Sequence, residues 1–501
     1  MLTKKNGMKV LLINPCIRPN SPKKLLNVGM AYIATAIDNA GFDLEIVDVD
    51  AHRYSNEQLE SILRTKKFDI VGIGDLTSHF KWVKGISALL KSYHPHAPIM
   101  VGNTLGTSIP NLLLKKSDVD IAVISEGEAT VIDLLSRLQN HEPLEGCQGI
   151  AFKKEGKIIT TPSRKIIPEV DSIPFPNYDL FEMDIYLECS KWTIPSPEML
   201  GIAFDDIRAM PLVTARGCPF KCTFCFHAFQ NKKYRWRSAE NIVAEMKLWQ
   251  QKYGANFFNF WDELSFYHHD QVRKFTRLLL EQNVNTHFVG SCRSELIDEE
   301  NADIAISLKK AGCMGLSFSL ESGNPEILKA MNKKNTVTDF ITQAKILQEA
   351  GVATYTAIVL GYPQESKATI RETFSVLEKA KIYPSVGYLQ PMPGTPMYTY
   401  AHENGYIPDE ETYLESMGDR QDLRINLSKH ITAEEMEQVV IEECRKLNKV
   451  LNINLNENEL IKTRVYRKAK SEAFLHSFGI AAKILEEDTS EVENKATANQ
   501  C

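Results

Sequence analysis

The stretch Arg216–Cys225, RGCPFKCTFC, places three of the ten cysteines of this chain within eight residues. Cys218, Cys222 and Cys225 have the spacing C-x3-C-x2-C, and thiolates this close in sequence can converge on one metal centre. Two kinds of site are compatible with this spacing. One is an iron–sulfur cluster held by three cysteines, and the other is a zinc site completed by His227.

Length and composition limit the class of protein. A chain of 501 residues predicts more than one domain. With 58 basic and 64 acidic residues, a net charge of −6, it has no basic signature of a nucleic-acid partner. Residues 1–7 lack the apolar core of a signal peptide, and the apolar runs are shorter than the roughly 20 residues that span a bilayer. The remaining cysteines have no paired spacing, as expected in a reducing compartment. We therefore expect a cytoplasmic protein without a nucleic-acid or membrane partner.

The first third of the chain alternates apolar runs with helical periodicity. Strands are predicted at Met8–Asn14, Leu44–Val49, Asp69–Gly74, Pro98–Gly102 and Ile121–Ile124. This alternation predicts an α/β domain over residues 8–140, a doubly wound, Rossmann-like parallel sheet. Ligands of such sheets bind beyond the carboxyl ends of the strands. A dinucleotide fingerprint is incomplete, because Thr77 follows Gly72-x-Gly74 where the third glycine belongs.

The rest of the chain divides into four parts. Residues 141–205 predict a hairpin, with its turn at Glu155-Gly156, and a proline-punctuated linker. Residues 206–400 alternate again and contain six predicted strands, too few for the roughly 250-residue, eight-stranded barrel, so we expect a partial (β/α)6 TIM barrel. Residues 401–485 predict a mainly helical C-terminal region, and the polar residues 486–501 a disordered tail.

Polar residues follow the predicted strands of this second domain. They are Arg216, Asp262, Glu263, Arg293, Glu321, Gly361 and Gln390. In a parallel barrel the carboxyl ends of the strands meet at one mouth, which brings such residues together beside the cysteines. A structural zinc site would leave this convergence unexplained, and the cluster is therefore the favoured interpretation.

A family resemblance rests on these residues together. C-x3-C-x-aromatic-C, with Phe224 as the aromatic residue, is the signature of the radical S-adenosylmethionine (SAM) superfamily. Further motifs resemble that superfamily in order: Trp261–Glu263, Arg293–Leu296, Leu320–Gly323, Met331–Lys333, Leu360–Pro363 and Pro391–Pro396. With its N-terminal domain, the chain resembles the cobalamin-dependent radical SAM proteins over residues 8–400.

The resemblance implies three cofactors. Cys218, Cys222 and Cys225 would hold a 4Fe–4S cluster whose fourth iron is open to SAM. The SAM-binding residues it implies are Phe224, Asp262, Glu263, Arg293, Glu321, Val359 and Gly361. Phe224, Val359 and Gly361 would lie near the adenine, and either Asp262 or Glu263 would contact the methionine amine. Arg293 and Glu321 would serve the methionine carboxylate and the ribose.

Cobalamin is the third cofactor that the resemblance implies. The residues expected around it are Asn14, Asp75, Thr77, Ser78, Gly102, Asn103, Glu126, Gly127 and Glu128. The signature D-x-H-x-x-G is absent, because Asp50-Ala51-His52 is followed by Ser55 where the glycine belongs. The resemblance therefore implies base-off cobalamin without a lower histidine ligand.

The function expected from the resemblance is SAM cleavage at the cluster and cobalamin-dependent methyl transfer to an unactivated carbon. The substrate would be a small molecule or a peptide, selected near residues 383–400 and the C-terminal region, and a flavodoxin or ferredoxin would supply electrons. One alternative is an oxidative cyclase or a rearrangement enzyme with the same cofactors. Another is a non-catalytic iron–sulfur electron carrier or scaffold. Transfer-RNA methylthiolation would need further cluster cysteines in the N-terminal domain, and Cys16 and Cys147 are too few.

Overall fold

A computed structural model describes residues 6–18, 23–194, 200–230, 232–418 and 420–461. The predicted disordered tail, residues 486–501, and the end of the predicted helical region lie outside the described residues. Among those described, no helix is both long and apolar enough to cross a membrane.

A seven-stranded sheet forms the N-terminal domain, in the order β2-β1-β3-β4-β5-β6-β7. The strands are β1 Asn6–Asn14, β2 Phe42–Asp48, β3 Ile70–Gly74, β4 Ile99–Gly102, β5 Ile121–Val123, β6 Ile150–Lys154 and β7 Lys157–Thr160. The first five are parallel, as predicted, and β6 and β7 are antiparallel. The predicted hairpin therefore extends this sheet. Its turn residues Glu155 and Gly156 have φ of 50° and 74°, the pair of positive values that a two-residue hairpin turn requires.

Helices cover both faces of this sheet. They are α1 Val28–Asn39, α2 Val49–His52, α3 Asn56–Thr65, α4 Phe80–Tyr93, α5 Asn103–Ser108, α6 Pro110–Lys116 and α7 Glu128–Gln139. Neighbouring strand residues point to opposite faces, so Leu11 packs in one apolar layer with Phe80, and Leu12 packs in the other with Met30. The layer that contains Met30 continues into the core of the second domain, and this is the face on which the two domains meet.

The second domain is a partial barrel, as predicted. Its strands are β8 Ala209–Leu212, β9 Ala215–Arg216, β10 Arg235–Trp236, β11 Phe257–Phe260, β12 His287–Ser291, β13 Cys313–Ser317, β14 Ala353–Tyr355, β15 Ala357–Leu360 and β16 Ser385–Tyr388. A parallel sheet runs β14-β13-β12-β11-β8, and β15 pairs in parallel with β16. Only Thr356 separates β14 from β15, and a parallel bridge between Glu321 and Ile358 continues the sheet. The described barrel thus has six parallel strand positions.

Helices surround this barrel and form the C-terminal region. They are α8 Met183–Ser190, α9 Ala239–Tyr253, α10 His269–Glu281, α11 Asp303–Lys310, α12 Pro325–Ala330, α13 Val337–Glu349, α14 Lys367–Ala380, α15 Pro396–Glu403, α16 Glu410–Ser416 and α17 Ala433–Val450. The predicted helix 433–450 and its buried stripe are confirmed, since Val440 and Cys444 are fully buried. Helix α17 packs against α14 on the outside of the barrel.

Candidate cofactor site

The three cysteines lie on a loop at the mouth of the barrel. This cluster loop, residues 217–234, is closed at its base by the antiparallel pair β9 and β10. Gly217 has a φ of 85°, which side chains rarely tolerate, and its amide donates to Glu263 Oε2 at 3.3 Å. Thr223 N donates to the Met331 carbonyl at 3.0 Å, and Asn332 Nδ2 donates to the Lys221 carbonyl at 2.8 Å. The loop is therefore held by groups from two other parts of the barrel.

The thiols of this loop lie close enough to influence one another. Desolvation and the Cys222 thiol raise the pKa of Cys218, and desolvation with both other thiols raises the pKa of Cys225 to about 12. None of the three is in a disulfide. Three thiolates with mutual repulsion suit a cationic group that several of them share, so the residues present fit an iron–sulfur cluster.

The zinc alternative has less support from the geometry. Zinc would need His227 as a fourth ligand beside the three cysteines. His227 is buried in the wall of a neighbouring cavity, and its Nδ1 has no hydrogen-bond partner. Burial lowers the pKa of His227.

Arg293 lies beside the cluster loop with an unused hydrogen-bond donor. Its guanidinium carbon lies 4.0 Å from the centre of the Phe220 ring, and its Nε donates to Glu295 Oε1 at 3.0 Å. Its Nη2 is buried and has no partner. A buried guanidinium nitrogen that lacks an acceptor can donate to an anionic ligand. The SAM carboxylate is the anionic group that the sequence predicted here.

We expect Arg293→Lys to weaken SAM binding about tenfold or more, because lysine can neither stack on Phe220 in the same way nor present the planar donor pair. Equilibrium dialysis with SAM on anaerobically reconstituted protein measures this loss. Arg273→Lys, which alters an exposed pair with Asp303, is the matched control. Unchanged SAM affinity in an Arg293→Lys protein with full iron content would contradict the assignment.

The structure distinguishes the two adjacent carboxylates that the sequence left open. Asp262 Oδ1 accepts from Thr214 N at 2.6 Å and Ala215 N at 3.0 Å, and its Oδ2 accepts from Thr214 Oγ1 at 2.6 Å. Burial raises the pKa of Asp262 to about 6. Glu263 accepts a long bond from Gly217, and both carboxylates line a cavity. Asp262 thus holds the chain before the cluster loop, and we expect Glu263 to be the carboxylate that contacts a ligand amine.

A cavity of about 580 Å³ lies between the two domains. The N-terminal domain contributes the loops after its strands and the start of α1, and the barrel contributes side chains next to the cluster loop. The barrel residues include Arg216, Phe226, His227, Trp261 and Glu263. The cavity is within the size range of cofactor sites. Residues predicted for cobalamin and two residues predicted for SAM, Asp262 and Glu263, therefore line the same space.

Glycines keep the wall of this cavity open. Gly29, Gly74, Gly102 and Gly127 all line it. A Cβ atom added at Gly29 would meet only Asn27 Oδ1, at 3.5 Å, and one added at Gly102 would meet only Val123 Cβ, at 3.8 Å. The wall is otherwise largely apolar. A broad, flat and amphipathic group such as a corrin ring fits such a surface.

Comparison with known proteins agrees with this geometry. Residues 16–135 match the B12 binding domain, and residues 212–377 match the radical SAM superfamily. The chain thus joins a B12-binding domain to a radical SAM domain. A B12-binding domain implies cobalamin, and a radical SAM domain implies a 4Fe–4S cluster and SAM. These are the three cofactors that the sequence predicted.

Similar proteins match this chain over most of their length. An uncharacterized methyltransferase of Pyrococcus horikoshii is 26% identical over 408 residues, which are 80% of this chain and 84% of that protein. An anaerobic magnesium-protoporphyrin IX monomethyl ester cyclase of Rubrivivax gelatinosus is 24% identical over 379 residues, 74% of this chain and 65% of that protein. The fold is that of TsrM from Kitasatospora setae, a radical SAM methyltransferase solved with cobalamin and a 4Fe–4S cluster. Its TM-score is 0.63 at 18% identity, covering 80% of this chain and 78% of TsrM.

Five residues that the sequence predicted for cobalamin line the cavity on the side of the B12-binding domain. They are Gly102, Asn103, Glu126, Gly127 and Glu128. The carboxylates of Glu126 and Glu128 bind arginines of the radical SAM domain, at Nη1 and Nη2 of Arg216 respectively. Asn27, Gly29 and Tyr32 at the start of α1 also line the cavity. The run Gly29–Ala34 contributes to the resemblance to a cobalamin-binding domain, but none of these three residues was predicted to bind the cofactor. They follow the loop after β1, and ligands of such sheets bind beyond the carboxyl ends of the strands. This position is the sequence signal that could have identified them.

The other four predicted cobalamin residues do not line this cavity. Asn14 Nδ2 donates to Asp48 Oδ1 at 2.8 Å and to Tyr186 Oη at 3.0 Å, which ties β1 to helix α8. Asp75 is fully buried and pairs with His79 Nδ1 at 3.0 Å. Thr77 Oγ1 bonds to Ser108 Oγ at 3.0 Å, and its neighbour Ser78 is likewise outside the cavity wall. Asp75 and Thr77 thus have partners within the domain, whereas Asn14 Oδ1 is buried without a hydrogen-bond partner among the described residues.

The predicted ribose and adenine residues belong to the radical SAM domain and do not line the cavity between the domains. Glu321 accepts from Lys333 Nζ at 3.0 Å, and both side chains are only 8% exposed. Phe224 and Val359 pack in one apolar cluster with Tyr362. The sequence motif Met331–Lys333 was recognised, but Lys333 was given no role. Its partner Glu321 is twelve residues away, and no short sequence pattern indicates such a pair.

Glu365 supports the Gly361 turn from below. Gly361 N donates to Glu365 Oε2 at 3.2 Å, and Thr369 Oγ1 donates to Glu365 Oε1 at 2.5 Å. The side chain is fully buried without a cation, and burial raises the pKa of Glu365 to about 7. The folded protein therefore keeps this proton to a higher pH than the unfolded chain.

We expect the unfolding free energy of the protein to fall between about pH 4.5 and pH 7 through Glu365, because the unfolded chain loses the proton first. The raised pKa of Glu365 corresponds to a loss of about 3 kcal/mol of unfolding free energy at pH 8, relative to a pH at which the carboxyl is protonated in both states. Glu365→Gln should remove this dependence and gain stability over the native protein as pH rises. Denaturant midpoints between pH 5 and pH 8 measure this pH dependence of stability. Glu349→Gln, a change at an exposed residue, is the control. Parallel pH profiles for Glu365→Gln and the native protein would contradict the prediction.

Proposed function

We propose that this protein is an enzyme that cleaves SAM at a 4Fe–4S cluster and uses cobalamin to transfer a methyl group to an unactivated carbon. The observation that carries the proposal is the cavity between the domains, which is lined by Glu263 and His227 of the radical SAM domain and by Gly102 and Gly127 of the B12-binding domain. Two cofactors that open onto one space can act on one substrate. The relative from Pyrococcus horikoshii, named a methyltransferase, supports the transfer reaction.

The residues of the chain bind and orient the reacting groups. When bound, the cluster supplies the electron that cleaves SAM to a 5′-deoxyadenosyl radical, and cobalamin carries the methyl group. Cys218, Cys222 and Cys225 hold three of the irons. Glu263 orients the methionine amine and Arg293 its carboxylate. The apolar wall excludes water, which would otherwise quench reactive groups. It includes Tyr32, Val213, Phe226, Phe229 and Trp261.

The proposed partners are an electron donor of low potential, such as a flavodoxin or ferredoxin, and a small-molecule or peptide substrate. The C-terminal region supports the proposed place of substrate selection. It forms a second cavity of about 460 Å³ next to Gln390, which follows β16 at the barrel mouth. Tyr406, Tyr413 and Arg424 line that cavity, so it offers aromatic surface and a cation.

Anaerobic reconstitution with iron, sulfide and hydroxocobalamin tests the proposal. With a strong reductant and SAM that carries a deuterated methyl group, we expect two products, S-adenosylhomocysteine from methyl donation and 5′-deoxyadenosine from radical cleavage. Mass spectrometry of the cobalamin fraction should find the deuterated methyl group. A non-catalytic carrier or scaffold predicts neither product and no effect of Glu263→Gln. Protein that retains iron but no cobalamin would overturn the methyl-transfer proposal and leave SAM cleavage intact.

An oxidative cyclase is the second candidate, and the similarity to the cyclase of Rubrivivax gelatinosus favours it. Cyclisation uses the same cofactors but removes two hydrogens from the substrate and adds no methyl group. Product mass distinguishes the two reactions. A gain of one deuterated methyl group supports transfer, and a loss of two hydrogens without label supports cyclisation.

A further inference from the structure

A buried ion network joins the two domains at the base of the cluster loop. Glu126 Oε1, from the B12-binding domain, accepts from Arg216 Nη1 at 2.9 Å and from Arg235 Nη1 at 2.7 Å. Its Oε2 accepts from Ile167 N at 2.7 Å. Glu128 accepts from Arg216 Nη2 at 2.5 Å. The side chains of Arg216, Arg235 and Glu126 are only 5–8% exposed.

The two arginines lie directly opposite each other in the strand pair that closes the cluster loop. Arg216 pairs with Arg235 across β9 and β10, and like charges in directly opposite positions repel. The ladder has only two residue pairs, so its own hydrogen bonds contribute little to keep it closed. Burial of two guanidinium groups also requires an anion nearby. Glu126 is the carboxylate that contacts both arginines, and it belongs to the other domain.

Aromatic rings lie beside both guanidinium groups of this network. The Arg216 guanidinium lies 5.2 Å from the Tyr32 ring centre and 5.8 Å from that of Phe229. The Arg235 guanidinium lies 5.7 Å from the same Phe229 ring. Tyr32 belongs to α1 of the B12-binding domain, and Phe229 belongs to the cluster loop. In such an apolar setting the charge pairs interact strongly, and loss of one partner leaves a costly buried charge.

We propose that Glu126 is a positioning residue for the cluster loop. It neutralises the Arg216–Arg235 pair and so fixes the loop that carries Cys218, Cys222 and Cys225 to the B12-binding domain. The cluster and cobalamin are thereby held at one fixed separation. This inference rests on the proposed assignment of these cysteines to the cluster, and it adds a role that Glu126 performs without touching cobalamin.

Glu126→Gln in the full chain tests the inference after anaerobic reconstitution with iron, sulfide and hydroxocobalamin. We expect iron per chain after gel filtration to fall about threefold or more, because the unpaired arginines open the base of the loop. In the remaining loaded protein, pulsed EPR should find a broadened distribution of distances between cob(II)alamin and the reduced cluster. Native iron content with an unbroadened distance distribution would overturn the inference.

Glu245→Gln is the matched control. Glu245 is also buried and pairs with Arg237 Nη1 at 2.5 Å, but both residues belong to the radical SAM domain. Loss of the Glu245–Arg237 pair in Glu245→Gln should lower the midpoint temperature of unfolding, while the distribution of distances between the cofactors stays narrow. Equal broadening in Glu245→Gln and Glu126→Gln would show a general effect of instability and overturn a specific role for Glu126.

A compensating change makes the test independent of simple misfolding. Arg235→Gln added to Glu126→Gln removes the repulsion, and Arg216 keeps Glu128 as its partner. We expect the double variant to recover iron content and the narrow distance distribution relative to Glu126→Gln, a non-additive result. Additive losses would overturn the inference. If the native protein itself takes up no cluster or cobalamin, the proposed function fails. If it takes up both and the variants match it, only this inference fails.

Discussion

Cys222→Ala is expected to abolish the cluster and to reduce 5′-deoxyadenosine formation more than about 1,000-fold, because two thiolates do not hold a SAM-cleaving cluster. Cys222 is the central ligand of the triplet, between Cys218 and Cys225 on the cluster loop. Iron and sulfide analysis of reconstituted protein gives the first measurement. Chromatography of the products from SAM and a strong reductant gives the second.

Cys189→Ala is the matched control for this change. Cys189 is a half-buried free cysteine on helix α8, outside the cluster loop. The Cys189→Ala variant should keep the iron content and the SAM cleavage of the native protein. Cluster formation in Cys222→Ala, or an equal loss in both variants, would refute the assignment of the triplet.

Gly29→Trp is expected to weaken hydroxocobalamin binding about 100-fold or more, because an indole would occupy the space that the cofactor needs. Gly29 lines the cavity near the start of α1, and a Cβ there meets only Asn27 Oδ1, at 3.5 Å. The backbone can therefore accept the side chain without strain. Absorbance titration with hydroxocobalamin measures the loss. Iron content and 5′-deoxyadenosine formation should persist, since the cluster loop is untouched.

Gly85→Trp provides the same chemical change on another helix of the same domain. Gly85 lies on α4, and a Cβ added there meets no atom within 4 Å. It does not line the cavity between the domains, so cobalamin affinity should stay native. Native cobalamin affinity in Gly29→Trp would place the cofactor outside this cavity.

The secondary structure was predictable because its signals are local. The apolar run before Asn14 forms β1, and the periodic stretch 433–450 forms α17 with the predicted bounds. Alternation of such elements restricts the sheet to parallel connections, so both domain folds follow from the order of elements. The hairpin at Glu155-Gly156 was also predicted, but its addition to the N-terminal sheet depends on an edge that no local pattern specifies.

The side-chain partners were far less predictable. Glu126 and Glu128 were expected at cobalamin, yet their carboxylates bind Arg216, which is about ninety residues away in sequence. Asn14 was expected there too, and it binds Asp48 and Tyr186 instead. A polar residue at a strand end can serve a ligand or another domain, and only the three-dimensional arrangement distinguishes the two.

The amino-acid sequence alone keeps the three predicted cluster ligands together, because Cys218, Cys222 and Cys225 are close in the chain and must remain close in any fold. It also determined the two domains through the alternation of apolar runs. Tertiary structure alone decided that Asp262, but not Glu263, accepts hydrogen bonds from Thr214 and Ala215 before the cluster loop, although both carboxylates line the cavity. It also placed Glu126 between the two arginines of the other domain. Charge pairing and burial depend on groups distant in sequence, and those distances are fixed only when the two domains pack together.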